Sequence, residues 1–591
     1  MKKLLLFVAL VSCAVFVKAQ DVFVEIPDHV GPIEQEWHSV KGIRAAWGTS
    51  DIRYAWHSLP NIGALKRTET LTAWRGERVS GQAVIYTKTA TDSLSLLTLQ
   101  LSSFKNGRHV LPAEAVEASF VRYVKTDAWA TPEGRGAGCG YRTDHTLYDS
   151  AMVADMIDPH VEAIGMDAMS VRSVWVSCQV PADAVAGMYS GTLSIKSGKR
   201  IIAKLPLTIK VINRTLPSAR DWQFHLDLWQ NPFAEARYYG TPLWSDAHLK
   251  AMRPSMEMLA AAGQKVITAS IMHKPWNGQT EDHFDSMVTW TKSLDGAWEF
   301  GFDVFDRWIE FMMSCGIKEQ INCFSMIPWA LSFPYYDVAT NRMQVLRAAP
   351  GDEAYEEMWV AMLKAFSQHL REKGWFDITT IAMDERPMHA MQKAMAVIRK
   401  ADPEFKVSLA GNWHPEIEAA LYDYCIALDQ AELLPQEVFD RRKEEGKKTT
   451  VYTCCSTHKP NTFTFSVPAE AAWYGFYVSG TSYDGYLRWA YNSWVKYPLH
   501  DTRFRQWPAG DTYMIYPHGR SSVRFEKLIE GIQAYEKVRI LRDEFTAAND
   551  MAKLAKLEEL VKRYNFNSQF TSDFPSLIRQ GQEMLNALGV R

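Results

Sequence analysis

The chain has 591 residues, 47% apolar and 23% charged, with a formal net charge of −3. That is too long for one compact domain and apolar enough for a large core. The slightly acidic balance gives no electrostatic reason to bind nucleic acid or an anionic membrane. The excess lies in 21 Trp and 24 Tyr. Flat rings stack on the apolar faces of sugars, but any single one is more often a core residue, so the excess matters at loop and strand ends.

In chain order, Lys2 and Lys3 precede an apolar run over residues 4–11, and Val17-Lys18-Ala19 resembles a small-residue cleavage site before Gln20. Residues 1–19 therefore read as an export leader, too short to span a bilayer. Its loss removes Lys2, Lys3 and Lys18, which takes the net charge from −3 to −6. The expected destination is the periplasm or the medium. Leu10-Val11-Ser12-Cys13 also resembles a lipobox, which would make an outer-membrane lipoprotein tethered through Cys13. The apolar Ala14, Val15 and Phe16 that follow favour simple export.

Residues 20–217 read as a β-sandwich domain. Short apolar runs at 81–86, 94–101, 120–124 and 171–180 are punctuated by Pro, Gly, Asn and Asp. Residues 189–211 form a hairpin pattern that turns at Ser197-Gly198-Lys199. Between residues 127 and 144, Gly134, Gly136, Gly138 and Gly140 lack the strand and GK[ST] context of a phosphate loop and read as a plain loop.

After Leu216-Pro217, strands alternate with helices. The runs at 223–228, 265–271, 321–326, 379–383, 406–409, 425–428, 449–454 and 485–489 are eight candidate strands. Helical periodicity fills gaps such as 305–315 and 355–372. The pattern predicts a TIM (β/α)8 barrel over residues 218–545. A ninth run at 511–516 leaves the strand count open by one. Ser521-Ser522 marks the N-cap of a long helix through Leu541, and 546–591 is a C-terminal helical segment. Apart from Cys13, the cysteines are Cys139, Cys178, Cys315, Cys323, Cys425, Cys454 and Cys455. None has zinc-site spacing, so no metal is expected. Cys315 and Cys323 are the pair suggested for an oxidising compartment, with buried free thiols expected for most.

Barrel chemistry sits where strands end and βα loops begin. Those ends carry Asp227, Trp229 and Gln230; His273 and Trp276; Trp329; Asp384-Glu385-Arg386-Pro387; Trp413 and His414; Asp429; and the segment from Tyr483 to Asn492. Polar groups with aromatics at so many ends describe a sugar pocket better than a core. Asp384-Glu385 is the sharpest feature, since two acids end the buried run Ile381-Ala382-Met383. Two acids opening a helix would look the same, because carboxylates suit its N-terminal dipole. The barrel context tips the reading to catalysis. Adjacent acids cannot easily straddle a sugar as the two carboxylates of an ordinary retaining glycosidase do, ~5 Å apart. They can serve one side of it. One protonates the leaving oxygen while the other holds a 2-acetamido group whose own oxygen attacks the anomeric carbon.

The barrel with this pair resembles glycoside hydrolase family 123, the β-N-acetylgalactosaminidases. Residues 485–492 (GYLRWAYN) and 524–532 (RFEKLIEGI) are similar to that family's late-barrel patterns, and the preceding sandwich matches its architecture. Gln533-Ala534 before Tyr535 departs from its usual acidic residues. The resemblance implies exo-acting release of terminal β-linked N-acetylgalactosamine from a glycan or glycolipid, with no cofactor. It implies Glu385 as general acid/base and Asp384 as the group that orients the acetamido nitrogen and stabilises the oxazolinium. It implies a tyrosine on the acetamido oxygen, for which Tyr483 is chosen over Tyr486 and Tyr491. Trp489 and Trp413 would wall the sugar, Asn492 would bind a hydroxyl, and Trp229 and His273 are weaker candidates: a core role suits Trp229 equally well, and a structural role suits His273 better. Two alternatives remain. One is a glycosidase with a separate nucleophile such as Asp227 or Asp429; the other is a non-catalytic carbohydrate-binding surface protein. No G-x-S-x-G elbow, HExxH or Rossmann fingerprint in context occurs.

Overall fold

A computed structural model describes residues 24–91, 96–129, 138–140, 148–568 and 573–590. The leader with Cys13, and Gly134 and Gly136, lie outside the described residues. The N-terminal part is two packed sheets. One has five strands in the order Ile43–Gly48, Arg78–Thr87, Ser170–Gln179, Val116–Trp129, Tyr148–Asp158. The other is built on Glu69–Arg75, Arg200–Thr215, Gly187–Ser197 and Leu97–Leu101. Pairing is antiparallel except between Arg200–Thr215 and Glu69–Arg75. Trp47, Ile85, Phe120 and Val174 of the first sheet meet Leu193, Ile195 and Leu207 of the second, the interdigitated core of a sandwich. The hairpin turns at Gly198, whose φ of 56° suits glycine.

The barrel strands, numbered here β1 to β8, are His225–Leu228, Val266–Ser270, Gln320–Phe324, Thr379–Met383, Lys406–Gly411, Asp423–Ala427, Lys448–Tyr452 and Gly485–Arg488. All pair in parallel in the ring order β1-β8-β7-β6-β5-β4-β3-β2. The eight expected runs are these strands, within a few residues. The ninth run is not in the ring; its Tyr513 makes a single bridge to Asn492. The helices expected at 305–315 and 355–372 are Asp303–Ser314 and Glu353–Lys373.

The ring is nearly closed. Between β1 and β2 the backbone contributes Lys265 N–H to Leu226 O, and side-chain amides do the rest. Gln264 accepts from Leu228 N–H and donates to the carbonyls of Leu228 and Val266. Gln230 accepts from Thr268 N–H and donates to Val266 O. Each glutamine amide offers both a donor and an acceptor, so it satisfies buried peptide groups the missing ladder would orphan.

Two helices close the barrel's outer side, α1 (Ala469–Gly480) and α2 (Val523–Ala547). Ser522 caps α2 by accepting from Phe525 N–H. The two cross at Gly475 and Gly531, where a Cβ on either would strike the other helix's backbone. Helix α2 also docks the sandwich through charge. Arg524 and Arg53 both reach Asp155, Lys527 reaches Asp51, and Arg78 pairs with Glu526. Gln533, where the sequence departs from the family pattern, exchanges two hydrogen bonds with the Arg78 backbone. Burial pushes the Asp155 carboxyl up, but Arg524 and Arg53 outweigh it and hold the carboxyl below its ordinary range.

Candidate active site

A cavity of ≈ 270 Å³ opens at the C-terminal face of the barrel. Its walls come from the ends of most strands: Trp229 after β1, Trp276 after β2, Trp329 after β3, Asp384 and Glu385 after β4, Tyr452 closing β7, and Trp489 after β8. Trp507 and Gln279 complete the aromatic side, the Trp507 indole donating to Gln279 O at 2.8 Å.

The acids are where they are because β4 is buried along its whole length and ends at Met383. The next helix, Met388–Ala401, starts only after Pro387, which as a proline keeps Arg386 out of the helical region. Asp384 and Glu385 therefore precede the helix instead of opening it, so the helix-dipole account of the pair does not hold. Asp384 is 7% exposed, while Glu385 is exposed in the cavity. The Trp329 indole donates to Asp384 Oδ2 at 2.7 Å, and the Arg386 guanidinium lies 5.2 Å over the same indole ring. Asp384 Oδ1 has no hydrogen-bond partner among the described residues. Burial pushes the Asp384 carboxyl up to about 6, with Glu385 adding to the rise and Trp329 and Arg386 resisting it. An ionisable acceptor with one free oxygen, walled by indoles, is suited to an N–H donor on a bound ligand.

Glu385 accepts a hydrogen bond from the Tyr452 hydroxyl. Burial, then the Glu385 charge, pushes that phenol well above its ordinary range, so it stays a donor. Trp229 and Trp276 stack at 5.0 Å on one side, and Trp489 meets Trp507 edge-on at 6.0 Å on another. The Trp489 indole is fixed by Asp511 Oδ2 at 3.1 Å.

Of the residues read from the sequence, Asp384, Glu385, Trp489 and Trp229 line this cavity together. Tyr483 does not: it precedes β8, and its hydroxyl donates to Ala431 O while its ring packs against Phe439. Tyr486 and Tyr491 are buried as well, bonded to Thr453 and to Ser255 O. Asn492 is buried and holds Asn231 N–H and Glu235, tying the loop after β1 to that after β8. Trp413 stacks on Tyr424 outside the cavity lining, and His273 pairs with Asp285 at 2.7 Å. Asp227 lies in the barrel interior, bonded to Trp229 and Asn322; burial and Asp423 push it up to about 7. Asp429 is exposed outside the cavity lining.

Sequence reasoning missed Tyr452, whose only sign is its place at the end of β7. It also missed a disulfide. Cys139, from the sandwich, is bonded to Cys455 of the loop after β7, a separation of 316 residues. Cys315 and Cys323, the pair suggested from sequence, are free and buried. Cys139, Cys455 and the free Cys454 all line the cavity.

Residues 229–541 match the family description "Glycoside hydrolase 123, catalytic domain", and residues 47–197 match "Glycoside hydrolase 123 N-terminal domain". Among solved structures, a family 123 glycoside hydrolase from Clostridium perfringens, described for glycolipid glycan hydrolysis, is 24% identical. The likeness covers 93% of this chain and 97% of that one, with a TM-score of 0.80, and is a likeness of fold. A family 39 glycoside hydrolase from Bacteroides cellulosilyticus is 10% identical over 78% of this chain and 81% of its own, with a TM-score of 0.34. That value is too low to carry an argument. No curated protein matches the sequence significantly.

Proposed function

Because the chain belongs to glycoside hydrolase family 123, we propose that it removes a terminal β-linked N-acetylgalactosamine by substrate-assisted retaining catalysis. The observation that carries this reading is the free Asp384 Oδ1 beside Glu385, with no other carboxylate lining the cavity among the described residues. A two-carboxylate retaining mechanism needs a nucleophile on the far face of the sugar. Asp227 and Asp429, the sequence candidates for it, are both outside the lining. The substrate's acetamido oxygen then serves as nucleophile. Asp384 accepts from the acetamido N–H and stabilises the positive charge that grows there as the ring closes to an oxazolinium. Glu385 donates its proton to the leaving oxygen and recovers one from the water that opens the oxazolinium. Tyr452 takes the part first given to Tyr483, a hydroxyl beside the reacting acetamido group. The indoles of Trp229, Trp276 and Trp489 receive the apolar faces of the sugar and acetamido methyl.

The substrate class we favour is a glycan or glycolipid ending in N-acetylgalactosamine, in keeping with the glycolipid glycan chemistry ascribed to the clostridial relative. Nitrophenyl β-GalNAc, β-GlcNAc and β-Gal assayed side by side test the reading. Turnover of the first is expected, with none of β-Gal. Equal cleavage of β-Gal, or a sugar trapped covalently on any carboxylate of the enzyme, overturns substrate assistance. Azide rescue of a carboxylate mutant as a glycosyl azide on a substrate without an acetamido group would point to a separate nucleophile.

A further inference from the structure

Three sulfurs meet in the wall of the catalytic cavity, and the chemistry above uses none of them. Cys139 comes from the sandwich, Cys454 and Cys455 from the loop after β7. Cys139 is bonded to Cys455, Cys454 is a free thiol, and the three Sγ atoms lie within 4.8 Å of one another. Each segment is also held by bonds that do not involve the bridge. Gly140 N–H donates to Gln506 O at 3.0 Å. The buried Asn461 amide donates to Cys454 O at 2.9 Å, and its oxygen accepts from Arg488 at 2.6 Å. Opening the bridge therefore leaves both segments anchored.

We propose that, with the bridge reduced, Cys139, Cys454 and Cys455 form a site for a soft divalent cation, zinc or cadmium, whose binding blocks the catalytic cavity. The ligands come from two domains, so no local spacing in the sequence announces the site. Opening the bridge takes two electrons and two protons from a dithiol, which ends as its own disulfide. The cation then displaces three thiol protons and is held by three thiolates, soft ligands that suit zinc and cadmium and not magnesium or calcium. Zinc–sulfur bonds of about 2.3 Å set tetrahedral ligands roughly 3.8 Å apart. Sulfurs already within 4.8 Å of one another are a side-chain rotation from that spacing. Three protein ligands leave a fourth position for water. The ion and that water take part of the ≈ 270 Å³ in which Asp384 and Glu385 are to meet a sugar. The site itself stands on geometry; the inhibition rests on the function proposed above.

To test this, the whole protein is reduced with a water-soluble phosphine, freed of it without air, and titrated with cadmium alone. The expected result is thiolate-to-cadmium charge-transfer absorption in the ultraviolet that saturates at one ion per chain, with none for the bridged protein. Reduced Cys454→Ser and reduced Cys139→Ser should each bind cadmium at least ~100-fold more weakly, since groups outside a metal's ligand shell are already worth roughly 10–100-fold. Bound cadmium should slow hydrolysis of nitrophenyl β-GalNAc at least about tenfold in the reduced protein and less than about twofold in the bridged one, each against its own cadmium-free rate. No absorption after reduction, or equal affinity in wild type and both variants, overturns the site. Binding without inhibition, or equal inhibition of the bridged protein, overturns the block. A cadmium-free protein inactive on nitrophenyl β-GalNAc would instead sink the function proposed above, and the absorption titration would still decide the site.

Discussion

At the scale of single residues, the proposed division of work between the two acids is one that mutants should separate. Glu385→Gln is expected to spare nitrophenyl substrates, whose leaving group needs little protonation, and to slow natural glycosides by roughly 10²–10⁴-fold. Asp384→Asn should slow both alike, and should weaken binding of a thiazoline analogue of the cyclised intermediate. Rates on the two substrate types, with the inhibition constant, check this. The pH profile carries a second prediction. The Asp384 carboxyl sits at about 6, so it is protonated and idle below that pH, and kcat/KM should fall on the acid side of 6. The Trp329 indole favours the charged form, so Trp329→Phe raises the pKa and should move the acid limb up by roughly one unit. An unmoved limb would mean that the limb belongs to another group. The place of the acid pair in the cavity was legible in the sequence because two carboxylates end a buried run. Tyr452 was not, since a lone tyrosine at a strand end looks like any core tyrosine. Tyr483 was misplaced although the predicted run 485–489 already set it ahead of the strand: it enters β8 instead of leaving it. The bridge from Cys139 to Cys455 had no local sign at 316 residues' separation.

At the scale of elements, short fully buried strands were the easiest to read. The β4 run has the bounds 379–383 in sequence and structure, because every residue of it faces protein. The run 511–516 lies outside the ring; its Tyr513 bridges Asn492 in the segment after β8. The four-stranded sheet of Thr289–Lys292, Trp298–Gly301, Ser332–Asp337 and Arg342–Arg347, inserted in the loops after β2 and β3, escaped notice because its hydropathy does not follow its burial: Met343 and Val345 are exposed while Gln344 between them is partly buried. Ser522 was read correctly as a cap, and Ser522→Ala should cost about 1 kcal/mol of stability by urea unfolding. Gly531→Ala should cost more, at least ~3 kcal/mol or failure to fold. The new methyl meets Ala472 backbone, and neither α1 nor α2 can retreat through a packed interface. A small effect would show that the two helices are free to separate.

At the scale of the whole molecule, sandwich and barrel are joined by buried charge. Asp155 of the sandwich receives Arg524 from α2, together with Arg53 of the sandwich itself and the Tyr516 hydroxyl. Asp155→Asn leaves two buried guanidiniums short of a counter-charge, and should cost ~3–5 kcal/mol. Because the folded carboxyl lies below its unfolded value of about 3.9, its stabilisation is present above that pH and is lost as pH falls through the folded value. Urea midpoints should therefore drop as the pH falls below about 4 in wild type, and less steeply in Asp155→Asn. One cooperative transition is expected by fluorescence and circular dichroism alike; two separable ones would show that the domains fold independently. The division into sandwich and barrel was visible from the change in hydrophobic period near Pro217, whereas the joint was not, because the partners of each charge lie hundreds of residues apart.

The amide-stitched gap between β1 and β2 has a mechanical meaning. A ring laced all round by peptide hydrogen bonds resists widening equally everywhere; a ring with one join of side-chain bonds has its compliance concentrated there. Trp229 stands between Leu228 and Gln230, at that join, and its indole lines the cavity. The diameter of the barrel and the shape of the cavity are thus coupled at one place, so a swelling of the ring that leaves the other strands in register would still tilt that wall.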